Sequence, residues 1–126
     1  MKFSYDIDYF PPAPSVEIRL GVPDESFTVG PLRALVDTGA DVSIVPLHYI
    51  EPLSVQVDNR KYLRSQWGEH RQVDTYLLDV GIGDMRLPVV EIIADEQGGE
   101  VILGRNVLNK LVMTLNGPEQ MLEILG

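Results

Sequence analysis

Between residues 16 and 22 apolar and polar positions alternate without a break: Val16, Ile18, Leu20 and Val22 fall on one side, Glu17, Arg19 and Gly21 on the other. A period of two predicts a half-buried strand. Pro23, Asp24, Glu25 and Ser26 form a turn, residues 27–29 resume the strand, Gly30 and Pro31 interrupt it, and residues 32–36 run apolar into Asp37. Residues 42–45 predict a further strand closed by Pro46, with a helical turn around residues 47–50. Residues 55–66 are polar and weakly patterned. Residues 73–82 and 85–93 pair as a hairpin about Gly83 and Asp84. After a loop at residues 95–100, the run Val101, Ile102, Leu103 stops at Gly104, and Val107, Leu108 and Leu111 then share a face at helical spacing. Residues 105–111 are therefore the one convincing helix. Residues 112–115 and 121–125 flank Asn116 and Gly117 and predict a closing hairpin. The opening stretch ends in Pro11, Pro12, Ala13 and Pro14 and reads as a flexible arm over residues 1–14, leaving residues 15–126 as the domain. Many short strands with frequent turns and one short carboxyl-terminal helix predict an all-β, closed, barrel-like fold.

Composition narrows the chemistry. At 126 residues the chain is sized for one domain and, with 44% apolar residues, for burying roughly two-thirds of its unfolded surface. Ten Lys and Arg against 19 Asp and Glu give a net charge of −9, which repels a phosphate backbone, so no nucleic-acid partner is expected. The absence of cysteine excludes disulfides, thiolate metal sites and thiol nucleophiles. The amino end lacks the apolar stretch of a secretory signal, and no segment approaches membrane-spanning length; the expectation is a cytoplasmic protein with no membrane partner. His48 and His70 have no metal-ligand spacing, and the pairs Asp6 with Asp8, Asp24 with Glu25 and Asp95 with Glu96 fit no calcium loop. Neither a metal nor a cofactor is called for.

The most informative stretch is Leu35, Val36, Asp37, Thr38, Gly39, Ala40, Asp41. A carboxyl directly after an apolar strand is expected at the edge of the core, where burial disfavours its charged form. Thr38 adds a hydroxyl that donates or accepts, and Gly39 lets the backbone turn tightly and a substrate approach. The same three residues are also common in ordinary turns. What separates the two readings is the second signal downstream: Ile102, Leu103, Gly104, Arg105, Asn106, an apolar run stopped by glycine at the mouth of the predicted helix.

Taken together, the two segments resemble the retropepsin family, the single-lobe aspartic proteases of retroviruses and their cellular and bacterial relatives. The resemblance covers roughly residues 15–125 in order and spacing. It implies an acid-protease barrel, and because one Asp, Thr, Gly triplet and one lobe are present, it implies a twofold homodimer as the active form. Two Asp37 carboxyls at the axis cannot both ionise cheaply, so they would share a proton. A water between them would be deprotonated by one carboxyl while the other protonates or hydrogen-bonds the scissile carbonyl, with no covalent intermediate. The resemblance further implies that Thr38 bonds across the axis, Gly39 bonds the substrate backbone, Ala40 lies along the substrate, and Asp41 both meets substrate amides and pairs with Arg105. A guanidinium fork matches a carboxylate, which makes the last pairing plausible on chemistry alone.

The family's flap falls by order on residues 62–76, with its tip near Trp67 and Gly68. Retroviral flaps are glycine-rich, whereas this tip has Gly68 alone among Gln66, Glu69, His70 and Arg71. Trp67 reads either as a residue covering substrate or a dimer contact, or as packing beneath the hairpin. The apolar ending Leu115, Met121, Leu122, Ile124, Leu125 either seals a dimer or folds back on the parent sheet. The preferred function is an aspartic endopeptidase acting on a peptide or protein substrate. The alternatives are an inert dimerisation or peptide-binding module of the same fold, and a carboxylate metal site at Asp37 and Asp41.

Overall fold

The computed structural model describes residues 1–64 and 67–126. Among the described residues there are ten strands: β1 (Lys2–Ser4), β2 (Ser15–Gly21), β3 (Val29–Val36), β4 (Ser43–Pro46), β5 (Asn59–Arg64), β6 (His70–Ile82), β7 (Met85–Asp95), β8 (Val101–Leu103), β9 (Val112–Asn116) and β10 (Met121–Leu125). Helices are short: α1 (Leu47–Ile50), a 3-10 turn at Glu51–Leu53, and α2 (Arg105–Leu108). The strands run β2-β3-β8-β4-β7-β6, and pairing of β2 with β6 closes them into a six-stranded barrel. Strand β6 is long enough to pair β5 through residues 70–75 and β2 through residues 79–81 on the same side, so β5 hangs from the barrel as the outer arm of a hairpin.

The alternation in β2 is realised as predicted: Val16, Ile18 and Leu20 are buried while Glu17 and Arg19 are exposed. They meet Leu78, Val80, Ile82, Ile92 and Leu103 in one core. Each such side chain contributes about 1.5–3 kcal/mol by leaving water. Strand β3 continues through Gly30 and Pro31 instead of breaking there. Gly30 sits at φ +116 beside the register irregularity between Ile18 and Leu20, and a Cβ would lie 2.7 Å from the Ile18 carbonyl oxygen. Glycine thus absorbs the bulge without ending the strand.

Three further elements differ from expectation. The polar stretch at residues 55–66 contains β5, which pairs by backbone with β6 while exposing most side chains, so it carries no apolar period. The α-helix after Gly104 is one turn, Arg105–Leu108, extended to Leu111 only by i to i+3 hydrogen bonds from Lys110 to Val107 and from Leu111 to Leu108. Residues 1–14 are tied down, not loose. Strand β1 pairs with β10, the Met1 ammonium donates to the Ile124 carbonyl at 2.8 Å, and Asp6 and Ala13 exchange backbone hydrogen bonds. Prolines here remove donors only where no ladder needs them.

Strand β1 also decides the fate of the carboxyl-terminal hairpin. In the sheet β1-β10-β9, Leu122 and Ile124 are fully buried against the barrel, while Val112, Leu115 and Leu125 stay exposed. The ending folds back on its own chain. Among the described residues no helix is long and apolar enough to cross a membrane.

Candidate active site

The topology around β8 creates the site. Strands β3 and β4 follow one another in sequence but are not neighbours, because β8 lies between them, parallel to β3 and antiparallel to β4. Residues 37–42 must therefore pass over the end of β8, which brings Asp37 to Gly104. The crossing is tight: a Cβ on Gly104 would fall 2.8 Å from both the Ala40 carbonyl oxygen and the Val42 carbonyl, so only glycine fits. Ile102 enters through its pairing with Ile44 and Leu35, and the Leu103 carbonyl accepts the Asp37 N–H at 3.0 Å.

Hydrogen bonds then fix the loop from both sides. The Arg105 N–H donates to the Ala40 carbonyl at 2.8 Å and the Asn106 N–H to the Asp41 carbonyl at 3.2 Å. The Arg105 guanidinium donates through Nη1 to the Thr38 carbonyl at 2.7 Å and through Nη2 to Asp41 Oδ1, the ion pair the sequence predicts. Beneath the loop, Asn106 Oδ1 accepts from the Ser43 N–H at 3.0 Å and the Ser43 hydroxyl at 2.9 Å. Its Nδ2 donates to the Glu91 carbonyl at 2.8 Å. Ser43 Oγ accepts in turn from the Gly104 N–H at 3.0 Å, so a fully buried hydroxyl joins β4 to the mouth of α2. Ser43 and Glu91 escape a sequence reading, although a lone hydroxyl among Val42, Ile44 and Val45 is the signal that marks the first.

Asp37 itself is exposed, as are Thr38 and Gly39, while Ala40 is half-buried. One Asp37 oxygen accepts the Gly39 N–H at 2.9 Å. The burial expected at the end of β3 is thus absent from a single chain, because β8 stops at Leu103 and no element among the described residues covers the loop. Asp41 is also open to solvent even though it pairs with Arg105. Trp67 and Gly68 lie at the turn of the β5–β6 hairpin, outside this hydrogen-bonded constellation. The Trp67 side chain is exposed, so it does not pack beneath the hairpin; Gln66 lies outside the described residues. Gly68 takes φ +83, the left-handed turn conformation that glycine suits. Among the described residues no cluster of three or more His, Cys, Asp or Glu side chains could hold a metal ion.

The loop that carries the Asp37 carboxylate is thus braced by a glycine crossing, an arginine and a half-buried amide. A family model described as "gag-polyprotein putative aspartyl protease" matches residues 27–110, which include the Asp37 loop and the segment from Ile102 to Asn106. The chain belongs to this family. Among solved structures, this chain is similar to a retropepsin-like aspartic protease from Rickettsia conorii, with a TM-score of 0.68 at 14% identity over 98% of this chain and 88% of the other. It is similar also to the EIAV protease in complex with the inhibitor HBY-793, with a TM-score of 0.58 at 17% identity over 86% of this chain and 93% of that one. The retroviral protease-like domain of Ddi1 from Leishmania major gives a TM-score of 0.51 at 20% identity over 88% and 89%. No curated protein matches the sequence. The fold of the chain is therefore the retropepsin barrel.

Proposed function

We propose that the protein is an aspartic endopeptidase in which two chains, related by a twofold axis, each supply one Asp37. The observation that supports this most directly is the state of Asp37 in one chain: rigidly held through its backbone by Leu103 and the crossing at Gly104, yet with its carboxyl open to solvent. A second identical loop supplies what is missing. Two carboxyls brought together exclude water and share one proton, because two adjacent negative charges repel strongly in a desolvated site. One carboxylate then takes a proton from a bound water, and the protonated partner donates to the carbonyl oxygen of the peptide bond. Thr38 bonds across the axis, Gly39 and Asp41 meet the peptide backbone with Ala40 between them, and the hairpin bearing Trp67 and Gly68 covers the substrate as a flap. Arg105 acts as a positioning residue, holding the Thr38 carbonyl and the Asp41 carboxylate in one fork.

The test is Asp37→Asn. Cleavage of a mixed peptide pool at mildly acidic pH is expected to fall by about 10³-fold or more in the variant, since it removes the general base, while sedimentation still detects the dimer. An inert module of the same fold predicts a parent and a variant that behave alike, and equal cleavage by both proteins would remove the assignment.

A further inference from the structure

Strand β6 changes neighbours along its length. From Thr75, which pairs with Ile93, to Ile82 it lies against β7, whereas over residues 70–74 its partner among the described residues is β5 alone. The β5–β6 hairpin therefore leaves the barrel at Thr75 and continues as a two-stranded ribbon. Such a ribbon is marginal by itself, and its backbone ladder does not fix the angle at which it projects. Arg60 and Asp74 form an ion pair at 3.3 Å, but both stand on the hairpin and cannot set that angle.

Lys61 reaches further. It sits opposite Val73, beyond the exit, and its Nζ donates to Glu91 Oε1 at 2.5 Å, while Glu91 sits opposite Leu77, inside the barrel. The ion pair thus crosses β6 diagonally and spans the point where the hairpin departs. A diagonal tie resists the bending that the ladder permits. The two side chains are 41% and 27% exposed, so the pair adds little to the stability of the fold and is suited to holding position.

The backbone of Glu91 reaches the Asp37 loop. Its carbonyl accepts Asn106 Nδ2 at 2.8 Å, Asn106 Oδ1 accepts the N–H and hydroxyl of Ser43, and Ser43 Oγ accepts the Gly104 N–H beneath the crossing. One residue of β7 is therefore bonded by its side chain to the hairpin and by its carbonyl to the brace of the loop. Any residue at this place supplies the carbonyl. The carboxylate is what makes the bond to Lys61, and it is the part that the brace does not need.

We infer that Lys61 and Glu91 are positioning residues for the proposed reaction: their ion pair holds the β5–β6 hairpin at a set angle to the strand that braces the Asp37 loop, so that the cover and the carboxyl belong to one frame. The inference rests on the protease reading and adds to it two residues outside the Asp37 and Gly104 segments.

The test compares the parent with Lys61→Met, Glu91→Met, the double variant and Lys61→Arg by steady-state cleavage of one peptide, thermal melting and backbone amide exchange. Methionine keeps an unbranched apolar stem, and Glu91→Met retains the carbonyl that Asn106 uses. KM is expected to rise about 3- to 5-fold in each single methionine variant, the scale of a partly exposed ion pair, while kcat stays within about twofold because the bonds around Asp37 are kept. The double variant matches the singles, since one interaction is lost once, and Lys61→Arg keeps the parent KM because the cation remains. Amides of β5 exchange faster in the methionine variants, those of β2 do not, and the melting midpoints hold. Parent-like KM and β5 exchange in the methionine variants overturn the inference and leave the protease reading standing. So do KM changes that add in the double variant, a fall in kcat at unchanged KM, or melting midpoints that drop in step with activity, which would make the pair a prop of the barrel. A parent chain that cleaves no peptide overturns both.

Discussion

Asp37 and Asp79 each follow a pair of apolar residues in a strand, Leu35 and Val36 in one case and Leu77 and Leu78 in the other, yet the fold treats them in opposite ways. Asp37 is open to solvent and its carboxylate takes one backbone N–H, that of Gly39. The Asp79 side chain is 1% exposed and accepts from the Val89 N–H at 2.8 Å, the Asp24 N–H at 3.0 Å and Arg86 Nε at 2.7 Å. Burial alone would raise the Asp79 pKa; the two backbone donors and the guanidinium outweigh it and hold the carboxyl below the usual range. The Arg86 head lies 4.3 Å from the centroid of Phe27, whose ring fills the space left open by Gly81, and it also reaches the Glu25 carbonyl. A carboxylate that serves the fold is sealed and saturated with donors. The carboxylate to which the proposed function assigns the chemistry accepts one backbone N–H and stays open to solvent.

The largest effect should come from breaking the saturated side of this contrast. Asp79→Ala strands Arg86 and leaves the N–H groups of Val89 and Asp24 without an acceptor. A loss of about 3–5 kcal/mol is expected, as for a broken buried pair, read from urea unfolding. By contrast Asp37→Asn, which abolishes cleavage under the proposed mechanism, should change the unfolding free energy of the monomer by less than about 0.5 kcal/mol, as for an exposed position. If the two variants lose similar stability, the division between structural and chemical carboxylates is wrong.

The contrast also explains what a sequence reading captures. Period-two alternation in β2 and the two apolar hairpins was legible because one face of each strand is buried, and the Asp37 and Gly104 segments were legible because an unusual crossing demands particular residues. Strand β5 was not, since an edge strand held by backbone pairing leaves its side chains in water and needs no pattern. The ordering of residues 1–14 was invisible for a different reason: its partner, β10, lies at the opposite end of the chain, and nothing local encodes that pairing. Strand position alone predicts burial for Asp37, whereas the most deeply buried of the described carboxylates, Asp79, stands inside the apolar run Leu77, Leu78, Asp79, Val80. A charge interrupting a strand core calls for several donors, and this was the available signal.

A smaller effect sharpens the chemical side. At Gly104 an added methyl would press on the backbone of Ala40 and Val42, which cannot yield as a side chain does. Gly104→Ala is expected to cost about 1–3 kcal/mol, as overpacking does, and to displace the Asp37 loop, so that cleavage falls by more than the folded fraction does. Parallel thermal melts and cleavage rates separate the two. Cleavage that tracks the folded fraction alone would mean that the crossing supports the barrel without setting the position of Asp37.

The smallest effect joins the two carboxylate classes through pH. Asp95 behaves like Asp79: burial would raise its pKa, but the backbone N–H groups of Gly98 and Gln97 and the nearby Arg71 lower it. A carboxyl with a depressed folded pKa stabilises the protein fully above its unfolded value, about 3.9, and that contribution is lost as pH falls through the folded pKa. These two residues therefore add no pH dependence to stability between pH 7 and about pH 5 and a progressive loss below about pH 4. At the mildly acidic pH of the cleavage assay both structural carboxylates remain charged and bonded. Urea midpoints measured from pH 6 down to pH 2 should fall mainly below pH 4, and Asp79→Asn should flatten that descent while lowering the plateau above it. A variant with an undiminished acid slope would show that the loss at low pH comes from other carboxylates, and that Asp79 is sealed for packing alone.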